Sequence, residues 1–198
     1  MKRIRIALWA VVAVVLIGIG AVLVLKPDAP TAPKPTPVAA SFGGPFTLVG
    51  SDGQPFGTSQ LAGKPYVLFF GFTHCPDTCP NTLGRLVKLR RDAGGGDAFN
   101  IVFVTVDPER DTPKVMGDYS KAFGAPIIGL TGSRPQIDRV EKQFAIYAQK
   151  VPTENGDYTM DHTATVLLFD RNGKFVATIS PDEQDAPALE KLKRITGA

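Results

Sequence analysis

The sequence lacks a basic cluster, and its main body has no excess of charge of either sign. It has 22 Lys and Arg residues against 19 Asp and Glu residues, and Lys2, Arg3 and Arg5 at the N-terminus account for the whole difference. Proteins that bind nucleic acid usually concentrate Lys and Arg in a patch on the folded domain. Because neither such a cluster nor an RNA-binding motif is present, we exclude nucleic acid as a partner.

The chain is also too short for two full domains, has no internal repeat, and contains few thiols and imidazoles. Its 198 residues allow one ordinary domain with extensions. It contains two cysteines and two histidines. No transit peptide rich in Arg and Ser begins the chain, which favours a bacterial inner membrane over a mitochondrion.

A long apolar run is present near the N-terminus. Residues 6–25 contain no charged side chain, and as a helix they would extend for about 30 Å, the thickness of the hydrocarbon core. The basic residues before this run predict a cytoplasmic N-terminus and a periplasmic C-terminal part. The alternative is a cleaved signal peptide, but its apolar region is usually shorter and lies close to a cleavage site. We therefore predict a single-pass membrane anchor at residues 1–25.

Prolines dominate the segment that follows the apolar run. Residues 26–45 contain prolines at short intervals, which favour extended conformations and cannot build a packed core. We predict that this segment is a linker. It would hold a globular domain, formed by residues 46–198, at some distance from the membrane surface.

Short apolar runs alternate with amphipathic stretches in residues 46–198, a pattern typical of a layered α/β domain. Apolar runs at residues 66–72 and 101–106 predict two central strands. A hairpin is predicted at the start of the domain, and a second hairpin around Asn155-Gly156 is predicted as an insertion. Further strands are expected at residues 127–130, 163–169 and 175–179, and helices at residues 80–93, 113–123, 133–145 and 185–195. This order fits a thioredoxin-like fold with an N-terminal hairpin and a hairpin insertion.

Both cysteines directly follow the first predicted central strand. They lie in the motif Thr73-His74-Cys75-Pro76-Asp77-Thr78-Cys79-Pro80, at the edge of the sheet where α/β proteins place their sites. A helix that began at Cys75 would bring the Pro80 ring against the carbonyl of Pro76. We therefore expect Cys79 to cap the helix and Pro80 to be its first residue. The positive end of the helix dipole would then favour the thiolate form of the cysteines.

Three roles fit this pair of cysteines: a structural disulfide, thiol–disulfide exchange, or metal binding. A disulfide that closes so short a loop would contribute about 2 kcal/mol, against roughly 4 to 5 kcal/mol for a loop of about 100 residues. Stability is therefore a weak reason for the placement. Thiolates select Cu(I) or zinc, and a neutral imidazole would extend the pair to a trigonal site that suits copper.

The two histidines differ as candidates for the imidazole ligand. His74 adjoins Cys75 in an extended segment, so its side chain should point away from that sulfur. His162 is expected in a loop between the hairpin insertion and the strand at residues 163–169. In a thioredoxin-like fold this loop would face the cysteines. A hydrogen-bonded histidine without a ligand role is the alternative for either residue.

Three segments closely resemble, in order and spacing, those of the Sco/SenC family: FTHCPDTCP at residues 72–80, VDPERDTP at residues 106–113, and GDYTMDHTATVLLFDRNGKF at residues 156–175. The resemblance covers the domain from about residue 46 onward. It implies that Cys75, Cys79 and His162 bind copper and that the protein assembles the CuA centre in subunit II of cytochrome c oxidase. It also marks Asp77 and Asp161 as partners that orient metal ligands, and residues 107–113 as the segment that sets the start of a helix.

Other functions stay open beside copper delivery. Cys75 and Cys79 would be the redox-active pair of a thiol:disulfide reductase that keeps the oxidase cysteines reduced, although thioredoxin has two residues between its cysteines and this chain has three. A peroxidase of the peroxiredoxin type resembles T-x-x-C around its thiol, whereas Thr73 is only two residues before Cys75. A redox sensor or scaffold without metal is a further alternative.

The predicted anchor leads to a test of topology. We expect the mature chain to retain Trp9, because an uncleaved apolar run stays in the membrane. Mass spectrometry of the membrane-bound protein gives the mature N-terminus, and a reporter fused after Ala198 should be active only on the periplasmic side. A mature N-terminus near residue 41 would instead identify a cleaved leader.

Overall fold

A computed structural model describes residues 42–197, which form nine strands, four α-helices and one short 3-10 helix. The strands are β1 (Thr47–Gly50), β2 (Pro55–Gly57), β3 (Tyr66–Gly71), β4 (Asn100–Thr105), β5 (Ile128–Thr131), β6 (Ala148–Pro152), β7 (Tyr158–His162), β8 (Val166–Phe169) and β9 (Phe175–Ile179). The helices are α1 (Thr78–Asp92), α2 (Pro113–Lys121), α3 (Arg134–Gln143) and α4 (Asp185–Thr196), and the 3-10 helix is Thr58–Leu61.

The predicted membrane anchor at residues 1–25 lies outside the described residues, as does most of the predicted linker. Within residues 42–197, none of the helices is both long enough and apolar enough to cross a membrane. At the end of the predicted linker, the chain already contacts the domain. The Gly43 N–H donates to the Gln143 carbonyl at 2.9 Å, and the Phe42 ring packs edge-on against Phe175 with centroids 4.7 Å apart.

Seven strands form one sheet in the order β2-β1-β5-β4-β3-β8-β9. Strands β3, β4 and β5 are parallel, whereas β1 and β8 run antiparallel to their neighbours. Helix α1 packs against α4, α4 packs against β8 and β9, and α2 packs against β5. This is the α/β architecture, with an N-terminal hairpin of β1 and β2, that the sequence predicts.

The core lies around β3, the strand that leads into the cysteine motif. All six of its residues are buried, because it pairs with β4 on one side and β8 on the other. Rings from adjacent strands continue this packing, as in Phe69 and Phe103, which stack with centroids 5.9 Å apart. The carboxyl end of β3 is therefore fixed by the centre of the fold.

Helix α1 begins earlier than we expected from Pro80. It begins at Thr78, with Asp77 as the N-cap, so the prediction that Cys79 caps the helix is wrong. Pro80 fits the third helical position because the first N–H groups of a helix have no partner within the helix. The carbonyl that its ring would strike belongs to Pro76, which lies before the helix.

The hairpin insertion forms a separate two-stranded sheet of β6 and β7. Its pairing extends from Pro152 and Tyr158 near the turn to Ala148 and His162 at the base. Gly156 in the turn has φ 78°, a left-handed conformation that glycine adopts readily. His162 is thus the last residue of a strand, not a loop residue as expected, and the predicted strand at residues 163–169 is shortened to β8.

Gly71, at the end of β3, lies against the side chain of Cys79. A β-carbon at position 71 would be 2.7 Å from Cys79 Sγ and 2.9 Å from Cε2 of Phe103. Both side chains are fully buried, so neither can move away freely. The sequence needs glycine here because the sulfur and the aromatic ring occupy the space of a side chain.

This close approach predicts opposite effects for two Gly→Ala substitutions. Gly71→Ala should lower the free energy of unfolding by about 1 to 3 kcal/mol, because the added methyl overpacks the core beside Cys79. Gly84→Ala is the matched control, since Gly84 lies exposed in α1 with nothing within 4 Å of the added carbon. It should raise the free energy of unfolding by about 0.5 to 1 kcal/mol. Urea unfolding of both variants measures the two effects, and equal stability for both would contradict the packing argument.

Candidate functional site

The two cysteines occupy the turn between β3 and α1. The Cys75 N–H donates to the Phe72 carbonyl at 3.3 Å, and the Cys79 N–H donates to Cys75 Sγ at 3.3 Å. The turn therefore directs an N–H group from the first turn of α1 at the sulfur of Cys75. The two cysteines are not joined in a disulfide, and Cys75 is partly exposed whereas Cys79 is fully buried.

His162 reaches the cysteines from the base of the hairpin. Its Nε2 lies 3.6 Å from Cys79 Sγ, and its Nδ1 lies 3.0 Å from the Thr163 carbonyl oxygen. Because a carbonyl only accepts, a neutral imidazole carries its hydrogen on Nδ1 and presents the lone pair of Nε2 toward Cys79. The ring of Phe72 stands perpendicular to the imidazole with centroids 5.8 Å apart and keeps it in this orientation.

Burial sets the protonation of both Cys79 and His162. It raises the pKa of the Cys79 thiol far above its usual range, and the neighbouring Cys75 adds to this effect. Burial also lowers the pKa of His162, against the opposing effects of the Thr163 carbonyl and the Asp161 charge. We expected the helix N-terminus to favour the thiolate of both cysteines, and for Cys79 this is wrong. Its own N–H points at the other sulfur, and its side chain is buried in the core.

A shallow cavity of about 180 Å³ lies between the cysteine turn and the hairpin. Cys75 and Phe72 line one side of it, and Met160 and His162 line the other. Within residues 42–197, there is no group of three or more His, Cys, Asp or Glu side chains already arranged to hold a metal ion. The three predicted ligands are nevertheless neighbours, since Cys79 contacts Cys75 Sγ through its N–H and His162 Nε2 through its sulfur.

The remaining candidate residues are directed elsewhere. His74 is half exposed, with Nδ1 3.2 Å from Thr73 Oγ1 and 3.8 Å from an Asp111 oxygen, so it points away from the sulfurs as expected. Asp77 accepts a hydrogen bond from Asn81. Asp161 is exposed and acts on His162 through its charge, while the Thr163 carbonyl orients the imidazole.

Two buried aspartates near the site have roles that the sequence analysis missed. Asp111 accepts hydrogen bonds from the Thr73 N–H at 3.0 Å, from Thr73 Oγ1 at 2.6 Å and from Thr105 Oγ1 at 2.6 Å. Asp107 accepts from Arg110 and from the Tyr158 hydroxyl. We expected this segment to set the start of a helix, and Thr112 does cap α2 by accepting from the Val115 N–H. Asp111 itself holds the cysteine turn, and Asp107 holds the hairpin.

Comparisons with known proteins agree with this arrangement. The family model described as SCO1/SenC matches residues 34–197. The mitochondrial protein SCO2 of Saccharomyces cerevisiae is 36% identical over 78% of this chain and 53% of its own length. The SCO2-like protein RP587 of Rickettsia prowazekii is 36% identical over 90% of this chain and 91% of its own length. This chain therefore spans about half the length of the yeast relative and most of the rickettsial one.

Solved structures show the same fold in a relative. ScoI of Bradyrhizobium japonicum, solved with copper bound, is 43% identical and superposes with a TM-score of 0.70 over 78% of this chain and 99% of that protein. The match extends over the domain that carries the cysteine turn, the hairpin and the seven-stranded sheet. The chain belongs to the SCO1/SenC family, and its domain has the thioredoxin-like fold that the sequence predicts.

Proposed function

We propose that this protein binds copper through Cys75, Cys79 and His162 and delivers it to the CuA centre of cytochrome c oxidase. The observation that carries the proposal is the approach of His162 Nε2 to within 3.6 Å of Cys79 Sγ, with the Nε2 lone pair directed at the sulfur. Copper in the ScoI relative supports the choice of metal. The role in oxidase assembly follows from membership of the family.

The donor set matches the chemistry of copper. Two thiolates and one neutral imidazole give a soft trigonal site, which accommodates both Cu(I) and Cu(II). The Cys79 thiol keeps its proton in the metal-free protein because burial raises its pKa. Copper must therefore displace this proton, and its affinity should fall as the pH falls.

The partner and the location belong to the same proposal. The domain would lie on the periplasmic side of a bacterial inner membrane, held by the predicted anchor at residues 1–25, and would there meet subunit II of the oxidase. The partly exposed Cys75 beside the shallow cavity supports direct transfer. A partner thiolate can approach Cys75 while Cys79 and His162 still hold the ion.

A thiol:disulfide reductase is the second candidate, and the unequal exposure of the cysteines favours it. The exposed Cys75 thiolate would attack a disulfide of the oxidase subunit and form a mixed disulfide, releasing one subunit thiolate. Cys79 would then attack the Cys75 sulfur, release the second subunit thiolate and form the Cys75–Cys79 disulfide. The Cys79 proton passes to a released subunit thiolate, so the sequence oxidises two thiols, reduces one disulfide and needs no metal ligation by His162.

Substitution of either cysteine tests the ligand set. Loss of a residue that only orients a metal ligand lowers the affinity by at most about 100-fold. Cys75→Ser and Cys79→Ser each remove a ligand and should each lower the Cu(I) affinity by more than this. The unsubstituted full-length chain should bind one copper per chain. Competition with a chromophoric Cu(I) chelator measures the affinities, and circular dichroism of each variant shows whether it is folded. Unchanged copper binding by either folded variant would remove that cysteine from the site.

Substitution of the histidine separates the two candidate functions. His162→Ala removes a nitrogen ligand and leaves both thiols, so it should abolish tight Cu(II) binding and weaken Cu(I) binding while the cysteines still form and reduce a disulfide. Cells that carry it should lack the CuA centre. His74→Ala is the matched control, since His74 points away from the sulfurs, and it should bind copper normally. Normal oxidase activity at limiting copper with His162→Ala would favour the reductase.

A further inference from the structure

The hairpin that carries His162 has no backbone pairing with the main sheet. Within residues 42–197, β6 and β7 pair only with each other. The position of His162 above the cysteines therefore depends on the chain connections at the base of the hairpin and on side-chain contacts between the hairpin and the domain. His162 lies at the base of the hairpin, and Tyr158 lies at the opposite end of β7, next to the turn.

Three residues join the turn end of the hairpin to the loop after β4. We name Asp107, Arg110 and Tyr158 the latch. The Arg110 guanidinium stacks on the Tyr158 ring, with Cζ 3.8 Å from the centroid, and its Nη1 donates to the Tyr158 carbonyl at 3.0 Å. The buried Asp107 carboxylate accepts from Arg110 Nε and, at 2.9 Å, from the Tyr158 hydroxyl. Each of the three residues is thus held by the other two.

The latch also reaches the cysteine turn through an aromatic ring. Arg110 Cζ lies 6.0 Å from the centroid of Phe72, which itself stands edge-on to the His162 imidazole. The carbonyl of Phe72 accepts the N–H of Cys75. Arg110 therefore lies against the hairpin on one side and against Phe72 on the other, and Phe72 in turn contacts both His162 and Cys75.

Burial makes the latch stronger than the exposed ion pairs of the hairpin, which are Asp157 with Arg110 and Lys150 with Glu109. The Asp107 side chain is fully buried and Arg110 is 18% exposed, so loss of Arg110 would leave a buried charge without its partner, which is costly. Lys150 pairs with Glu109 nearby, but these side chains are 41% and 56% exposed. Exposed pairs contribute little, so the latch is the strongest polar contact at the turn end of the hairpin, while the buried Met160 packs the middle of β7 against the core.

We propose that Arg110 is a positioning residue for His162. By holding the turn end of the hairpin through the latch, it keeps the imidazole at the distance from Cys79 at which it can share a metal ion. The inference rests on the proposed copper site for its metal readout, but its structural part concerns the metal-free protein alone. Arg110 itself neither contacts the sulfurs nor ligates the ion.

The first experiment measures the hairpin without metal. In the reduced, metal-free, full-length chain, Arg110→Met should speed hydrogen exchange of the β6 and β7 amides and leave exchange in β3 and β4 unchanged. Arg91→Met is the matched control, because it removes the same charge from an exposed position of α1, and it should change neither. Equal exchange of the hairpin in Arg110→Met and the unsubstituted chain would overturn the proposal.

The second experiment asks whether Arg110 acts through His162. Arg110→Met should weaken Cu(I) binding by about 10- to 100-fold, as loss of a residue that orients a ligand typically does. In the His162→Ala background the same substitution should change the affinity little, because the ligand that it positions is absent. An equal loss in both backgrounds, or no loss in either, would overturn the proposal.

Further variants keep the two proposals distinguishable. Tyr158→Phe removes only the hydroxyl that donates to Asp107, so it should reproduce the faster hairpin exchange in a milder form and serves if Arg110→Met fails to fold. Arg110→Lys keeps the charge but loses the planar stack on Tyr158 and the separate donations to Asp107 and to the Tyr158 carbonyl. Its Cu(I) affinity should lie between those of Arg110→Met and the unsubstituted chain. If the unsubstituted chain binds no copper, the proposed function fails, while hydrogen exchange still decides whether the latch holds the hairpin.

Discussion

The position of both cysteines depends on one buried carboxylate, that of Asp111. A charge removed from water is costly unless hydrogen bonds compensate it, and Asp111 is compensated by three donors from Thr73 and Thr105. Thr105 ends the central strand β4, and Thr73 is two residues before Cys75. The need to satisfy this charge therefore fastens the cysteine turn to the centre of the sheet. If these hydrogen bonds were lost, the cysteine turn would lose its attachment to β4, although Cys79 would stay packed in the core.

In the turn that Asp111 holds, the two cysteines differ in their exposure to solvent. Cys79 is packed against Gly71, where only a residue without a side chain leaves room for its sulfur, and its pKa is raised by burial. Cys75 lies at the edge of the cavity and accepts the N–H of Cys79. One sulfur is thus available to a partner while the other stays shielded. Copper transfer and disulfide reduction could both use this asymmetry, so the cysteines alone do not distinguish the two functions.

The sequence predicts the sheet well, because continuous apolar runs and turn residues are local signals. It also predicts that Cys75, Cys79 and His162 come together, although the family resemblance was needed to single out His162. Our prediction for the start of α1 was wrong because it considered only the clash of the Pro80 ring with the Pro76 carbonyl. It did not consider that the first N–H groups of a helix have no partner within the helix, so that a proline fits there. The roles of Asp107 and Asp111 were missed because their partners Tyr158 and Thr73 are 51 and 38 positions away, and no local pattern shows such contacts.

The proposed ligands come from two structurally distinct parts of the domain, and this division bears on how an ion would leave. The cysteines belong to the junction of β3 and α1, whereas His162 belongs to a hairpin that shares no backbone pairing with the main sheet. A site formed entirely within the core would have to disturb the core to lose a ligand. Here the imidazole could leave without disturbing the sheet, but only if the contacts of the latch with the hairpin are broken first. Under the proposed function, loss of the imidazole would lower the coordination number and weaken binding at the moment when a partner offers its own thiolates.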